Sequence, residues 1–220
     1  MKIFVDSSNI DEIKIAASWH LADGVTTNPS TLGKLGRDPY IIVRQICQLI
    51  SGPVSMQVTS NIKDEIEKEG KKIAKIAKNI IVKIPSTRDG LNAIYELSKS
   101  GIKVNATNLF TPAQALIASR NGAYFVSCWI GRSDDIYMNG LKLISDTKKI
   151  FDNYQIKTQI IAASVKDTKQ IVAIAKAGID IATIPFDVIE KITLHPMTDK
   201  TFDGFLNDWK ANPALKKFPK

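Results

Sequence analysis

A unit of short apolar strand followed by a helix-sized amphipathic stretch recurs along this chain, and it restricts the fold more than any other feature. Strands are predicted at "KIFVDS" (2–7), "GVTTN" (24–28), "PVSMQV" (53–58), "IIVKIP" (80–85), "KVNATNL" (103–109), "YFVSCWI" (124–130), "QIIAAS" (159–164) and "DIATIP" (180–185). Each is rich in β-branched residues and bounded by polar or turn-forming ones. The intervening stretches have helical spacing. In "DEIEKEGKKIAKIAK", Ile66, Ile73 and Ile76 form an apolar stripe, and "PAQALIASRNG" closes with a glycine cap. Eight strand–helix units point to a parallel sheet closed into a (β/α)8 TIM barrel, an α/β fold, spanning residues 1–220 as one domain. An open doubly wound sheet is the alternative. It is disfavoured because no GxGxxG follows the first strand and no GxxxxGK[ST] occurs. After the eighth unit, 198–211 reads as an extra C-terminal helix with Phe202, Phe205, Leu206 and Trp209 on one face. That face is expected either to cover the barrel or to dock on a neighbouring subunit.

Composition narrows the functional classes. Hydrophobic residues make up 44% and charged residues 24% of 220 positions, which is ordinary for a globular protein of one sizeable domain. No apolar run reaches the ~18 residues of a membrane span, and "MKIFVDSSNIDEIKI" has too short an apolar run for a secretory signal. The chain is therefore read as cytoplasmic, with no membrane partner. Cys47 and Cys128 lack CxxC spacing and are read as buried free thiols, and His20 and His195 as surface histidines. No metal site is expected, because neither HExxH nor a Cys/His cluster is present. The net charge of +8 is compatible with polyanions, but most lysines are interleaved with glutamates at helical spacing. A solvated helix face explains them better than a nucleic-acid site. A positive field also suits small phosphorylated substrates.

Chemistry is expected at the carboxyl ends of the strands. Asp6, Thr26, Thr27, Asn28, Gln57, Lys83, Asn105, Thr107, Ser127 and Ser164 gather there. Lys83 stands out, set inside the apolar run Ile80–Pro85. An ammonium removed from water must be paired or give up its proton. With period-2 alternation, Ile81, Lys83 and Pro85 share a face, and if that face is inward Lys83 stands inside the barrel. A desolvated lysine supplies the neutral amine that attacks a carbonyl, and the resulting Schiff base is an electron sink for carbon–carbon cleavage. Otherwise Lys83 points outward and snorkels to water. Asp6 is either a proton carrier for that chemistry or the N-cap of a helix starting near Ile10.

These segments taken together resemble the transaldolase family, specifically its small subfamily of short transaldolases and fructose-6-phosphate aldolases. "FVDSSNIDEI", "GVTTNPS", "VKIP" followed by "T-DGL", "GRSDD", "IIAASVK", "IPFDV" and "HPMTD…FLNDW" carry the resemblance in order over essentially the whole chain. It implies that Lys83 forms the Schiff base with a ketose and that Asp6 is the acid/base. Thr107 would hold a proton-relaying water, and Gln57 completes the catalytic set. Thr26, Asn28, Asn105, Ser127 and Trp129 would lie against substrate, with Asn28 and Asn105 on the dihydroxyacetone hydroxyls. Arg132, Ser164 and Lys166 would bind phosphate; taken alone, Arg132 and Lys166 read as surface charge. Two positions depart from the transaldolase pattern. Gln57 replaces the usual glutamate, as it does in the aldolases, whereas Trp129 stands where transaldolases have phenylalanine and the aldolases a catalytic tyrosine. The resemblance thus implies a transaldolase moving a dihydroxyacetone unit between sugar phosphates, with an aldolase releasing free dihydroxyacetone as the alternative. A non-catalytic sugar-phosphate-binding barrel is the remaining reading. No cofactor is expected, and a homo-oligomer, pentamer or decamer, is implied.

Overall fold

The computed structural model describes residues 1–212, so residues 213–220 of the expected domain lie outside the described residues. Eight parallel strands close into a barrel in chain order: β1 (Lys2–Asp6), β2 (Gly24–Thr26), β3 (Val54–Gln57), β4 (Ile80–Pro85), β5 (Val104–Leu109), β6 (Phe125–Trp129), β7 (Gln159–Ala163) and β8 (Ile181–Pro185). Pairing of β1 with β8, from Lys2 opposite Ile181 to Asp6 opposite Pro185, completes the closure. The helices are α1 (Ile10–Ser18), α2 (Pro29–Gly33), α3 (Pro39–Leu49), α4 (Lys63–Ile73), α5 (Arg88–Lys99), α6 (Pro112–Arg120), α7 (Ile130–Asp135), α8 (Gly140–Asn153), α9 (Thr168–Lys176), α10 (Phe186–Thr193) and α11 (Pro196–Ala211).

Alternation along each strand feeds two separate cores. Outward residues such as Val5, Val82, Ile84, Ala106 and Ile160 join one large cluster with the helices. Inward residues Phe4, Ile81, Phe125, Ile161 and Ile181 form a second cluster inside the barrel. There Phe4 and Phe125 meet edge to face, with ring centroids 5.9 Å apart at 83°, the arrangement preferred by aromatic quadrupoles. Gly24, opposite Phe4 in register, makes room for that ring: a Cβ at Gly24 would lie 2.6 Å from Phe4 Cε1.

Local signals explain most helix starts. Asn9, Asn28, Asp38, Thr87, Thr111, Asn139 and Asp167 each accept a hydrogen bond from a first-turn amide, satisfying donors that the helix leaves open. Asn9, not Asp6, caps α1: its Oδ1 accepts from Asp11 N at 2.9 Å. The carboxylate of Asp6 is thereby left for the barrel mouth. The stripe expected through Ile76 is cut short. α4 ends at Ile73, and Ile76 packs on the core from the following turn, its amide donating to the Ile73 carbonyl at 2.9 Å. The solvated face of α4 carries the expected ion pairs, Lys63–Glu67 at 2.8 Å and Lys71–Glu67 at 3.8 Å.

The expected C-terminal helix forms as α11, two residues longer at its start, with exposed His195 as N-cap accepting from Met197 N at 3.2 Å. It does not cover the barrel. No residue of α11 is buried, and Phe202 and Phe205 keep 60% and 66% of their surface exposed. Cys47 and Cys128 are buried free thiols, and burial pushes them up to about 11 and about 12. Among the described residues, no helix is long and apolar enough to cross a membrane and no His/Cys/Asp/Glu group could hold a metal ion.

The inner layer supports everything above it. Phe125→Ala should therefore lower stability by about 3–5 kcal/mol, read as a shift of the urea unfolding midpoint. A shift below about 1 kcal/mol would mean that the layer repacks around the loss.

Candidate active site

Above the inner aromatic layer, inward positions turn polar. Two residues beyond Ile81 on β4 comes Lys83, which points into the barrel and keeps 6% of its surface. Its Nζ donates to the Thr27 carbonyl at 3.3 Å. The outward, snorkelling alternative is not realised. Lys83 sits beside Gln57 on β3 and Asn105 on β5 in register. A chamber of about 390 Å³ opens over it at the carboxyl end of the barrel. Its lining includes Asp6, Thr26, Asn28, Gln57, Lys83, Asn108, Ser127, Trp129, Arg132, Ser164 and Thr183.

Burial dominates the electrostatics. Removal from water drives the Lys83 amine below the usual lysine range, against the pull of the Asp6 carboxylate. The same desolvation raises Asp6, against the field of Lys83 and a hydrogen bond from Thr26 Oγ1 at 3.4 Å. Both groups are thus moved toward neutrality, the condition in which an amine is nucleophilic and a carboxyl can exchange protons.

The remaining polar groups are held by one another. Asn105 Oδ1 accepts from Ser127 Oγ at 2.8 Å, and Asn105 Nδ2 donates to Ser55 Oγ at 3.3 Å. Thr26 and Thr183 share a hydrogen bond between their hydroxyls at 2.6 Å. Trp129 donates its indole N–H to Thr107 Oγ1 at 3.1 Å and lies against Phe110, with centroids 6.2 Å apart. Thr107 is wholly buried and does not line the chamber, whereas Trp129 does. Asn28 lines the chamber and also caps α2, accepting from Thr31 N at 3.0 Å.

At the rim, α7 brings Arg132 next to Ser164, which follows β7 in a left-handed conformation (φ 62°). Gly131 allows the close approach: its amide donates to the Ser164 carbonyl at 3.1 Å, and a Cβ there would fall 2.1 Å from that oxygen. Lys166 is placed differently. Its stem runs along Gly131, its ammonium pairs with Asp135, and it does not line the chamber. The structure thus gathers Asp6, Thr26, Asn28, Gln57, Lys83, Ser127, Trp129, Arg132 and Ser164 around one space, with Asn105 and Thr107 just behind it. Ser55, Thr183 and Asn108 belong to the same environment and escaped the sequence reading. Ser55 and Thr183 were accessible from alternation, two positions before Gln57 and two after Ile181. Nothing in the sequence pointed to Asn108.

The chamber thus brings together a desolvated amine on an inward strand position, a carboxyl group on a nearby strand end and a cation at the rim. The comparisons with known proteins narrow this further. A family model described as Transaldolase/Fructose-6-phosphate aldolase matches residues 3–217. The chain belongs to that family. A protein of Caldicellulosiruptor saccharolyticus is 49% identical over 214 residues, covering 97% of this chain and 99% of its own. A Hydrogenobaculum protein is 46% identical over 213 residues (97% and 98%), and one from Methanococcus maripaludis 45% over 212 residues (96% and 99%). Each of the three is named "Probable transaldolase".

The opposing influences on Lys83 have a measurable consequence. After reductive methylation with 13C-formaldehyde, the Lys83 methyl signal should titrate below those of surface lysines. Asp6→Asn removes the negative charge that holds the Lys83 pKa up, so its titration should move lower still. An unchanged or raised midpoint in that variant would show that Asp6 does not act on the amine.

Proposed function

We propose that this protein is a transaldolase that transfers a dihydroxyacetone unit from a ketose phosphate to an aldose phosphate through a Schiff base on Lys83. The observation that carries the reading is the Lys83 amine, buried, turned into the chamber and lowered in pKa beside Asp6.

In this reading the neutral amine adds to the ketose carbonyl, and loss of water leaves a protonated imine. A fixed positive charge then lies beside Asp6 and favours its carboxylate. That carboxylate takes the proton of the hydroxyl on the fourth carbon. The bond between the third and fourth carbons breaks, its electron pair moves to the imine nitrogen, and an aldose phosphate leaves. The enamine carbon attacks the carbonyl of the acceptor aldehyde, and Asp6 returns the proton to the new alkoxide. Hydrolysis of the imine frees the new ketose phosphate and restores Lys83. Arg132 and the Ser164 hydroxyl suit the substrate phosphate at the mouth. Lys166 joins them only if its ammonium leaves Asp135.

Transfer requires that the enamine wait for an acceptor rather than pick up a proton. Neither Trp129 nor Gln57 is an acid at neutral pH. Trp129 instead donates to Thr107 Oγ1, which turns the Thr107 proton away from the indole and toward whatever the hydroxyl next binds. The names of the relatives favour transfer as well. Release of free dihydroxyacetone is the second reading, and the glutamine at position 57 favours it.

Fructose 6-phosphate with borohydride should add one reduced dihydroxyacetone adduct to the peptide containing Lys83, and Lys83→Ala should lose both the adduct and turnover. Absence of the adduct in the native protein would leave a barrel that only binds. Glyceraldehyde 3-phosphate should be released from fructose 6-phosphate only when erythrose 4-phosphate is present, and comparable release without it would make the protein an aldolase. Trp129→Phe, which keeps the ring and loses the N–H, should lower kcat by about fivefold, the worth of one ordinary hydrogen bond, with little change in KM. An unchanged kcat would remove Trp129 from the proton path.

A further inference from the structure

Strand β5 has one residue too many for its neighbour. Asn105 and Ala106 pair with Phe125 and Val126, but Leu109 pairs with Cys128, so three steps along β5 match two along β6. This is a β-bulge, and bulges beside active sites re-aim side chains. Simple alternation would send Asn108 outward with Ala106. Instead Thr107 is buried and accepts from Trp129, Leu109 enters the outer core, and Asn108 lines the chamber with Lys83. The backbone of Asn108 is left-handed, with φ 60°, a conformation that asparagine tolerates better than most residues. Its Oδ1 is buried and accepts no hydrogen bond from the described residues. Strained backbone and an unmatched buried acceptor therefore coincide on one residue at the reacting chamber.

Position and chemistry indicate what this amide meets. β5 lies between β4, which carries Lys83, and β6, after which α7 carries Arg132. Asn108 stands nearer the mouth than Asn105, on the wall between the amine and the rim cation. In a sugar phosphate bound with its carbonyl at Lys83 and its phosphate at Arg132, that wall faces the hydroxylated middle carbons. An amide both donates to and accepts from a hydroxyl, and the buried Asn108 oxygen meets one when this chamber-lining side chain turns toward it. We propose that Asn108 is a specificity-determining residue whose side-chain amide binds a hydroxyl of the aldehyde acceptor, selecting hydroxylated aldose phosphates over deoxy analogues. The inference rests on the transaldolase reading above.

The test uses the full chain with sedoheptulose 7-phosphate as donor and follows erythrose 4-phosphate release. Two acceptors are compared, glyceraldehyde 3-phosphate and 3-oxopropyl phosphate, which lacks only the hydroxyl next to the aldehyde. The native protein should prefer the hydroxylated acceptor in kcat/KM. Asn108→Gly, which suits the left-handed backbone, should reduce that preference by about tenfold while leaving borohydride trapping of the donor on Lys83 intact. Ser86 Oγ, buried and likewise without a hydrogen-bond partner among the described residues, follows Pro85, which pairs with Thr107. Ser86→Ala is therefore the control and should leave the preference unchanged. If Asn108→Gly keeps the native preference, or if Ser86→Ala loses it equally, the assignment is overturned. Failure of trapping in the native protein would instead defeat the Schiff-base reading on which the inference stands.

Discussion

Closure of the sheet is the constraint on which the rest of this molecule depends. Once β1 pairs with β8, every inward side chain shares one enclosed space, and the lower part of that space is filled by Phe4, Ile81, Phe125, Ile161 and Ile181. The packed apolar layer keeps water from reaching Lys83 from below. The lysine is solvated only through the chamber, and desolvation rather than a specific cation neighbour dominates its lowered pKa. An open sheet of the same strands would leave the amine in water, without the desolvation that lowers its pKa.

The polar ring above this layer is largely self-supporting. Ser55, Asn105 and Ser127 are linked, Thr26 is tied to Thr183, and Trp129 is tied to Thr107. Such cross-strand hydrogen bonds hold rotamers in place before a ligand arrives, which lowers the reorganisation a reaction demands. The charged groups meet this network only lightly: Asp6 accepts from Thr26 at 3.4 Å, Lys83 donates to the Thr27 carbonyl at 3.3 Å, and Arg132 lines the rim. At the rim the same economy works differently. Asp135 holds the ammonium of Lys166, so the charge beside the chamber comes from Arg132.

Much of this was legible in the chain. Short, nearly continuous β-branched apolar runs located all eight strands to within a few residues, because inward and outward faces of a closed barrel are both buried for most of their length. Lys83 was visible because a charge in such a run has few uses. Helix ends were less legible. The sequence left Asp6 open as the cap of the first helix, whereas Asn9, with extended backbone one residue before Ile10, takes that place. Ile76 kept the helical spacing although the helix had ended. Lys166 carried the charge a phosphate site needs, but its partner Asp135 comes from a helix 31 positions earlier.

The sequence by itself determined the repeating units, the inward rank of Lys83 relative to Ile81, and the polar residues at the strand ends, all of which follow from local periodicity. The tertiary structure decided which face was inward, that the C-terminal helix leaves the barrel uncovered, and that a bulge in β5 turns Asn108 toward the lysine. Those outcomes depend on how one strand registers against another, and register is set by packing between distant segments rather than by the order of residues within one.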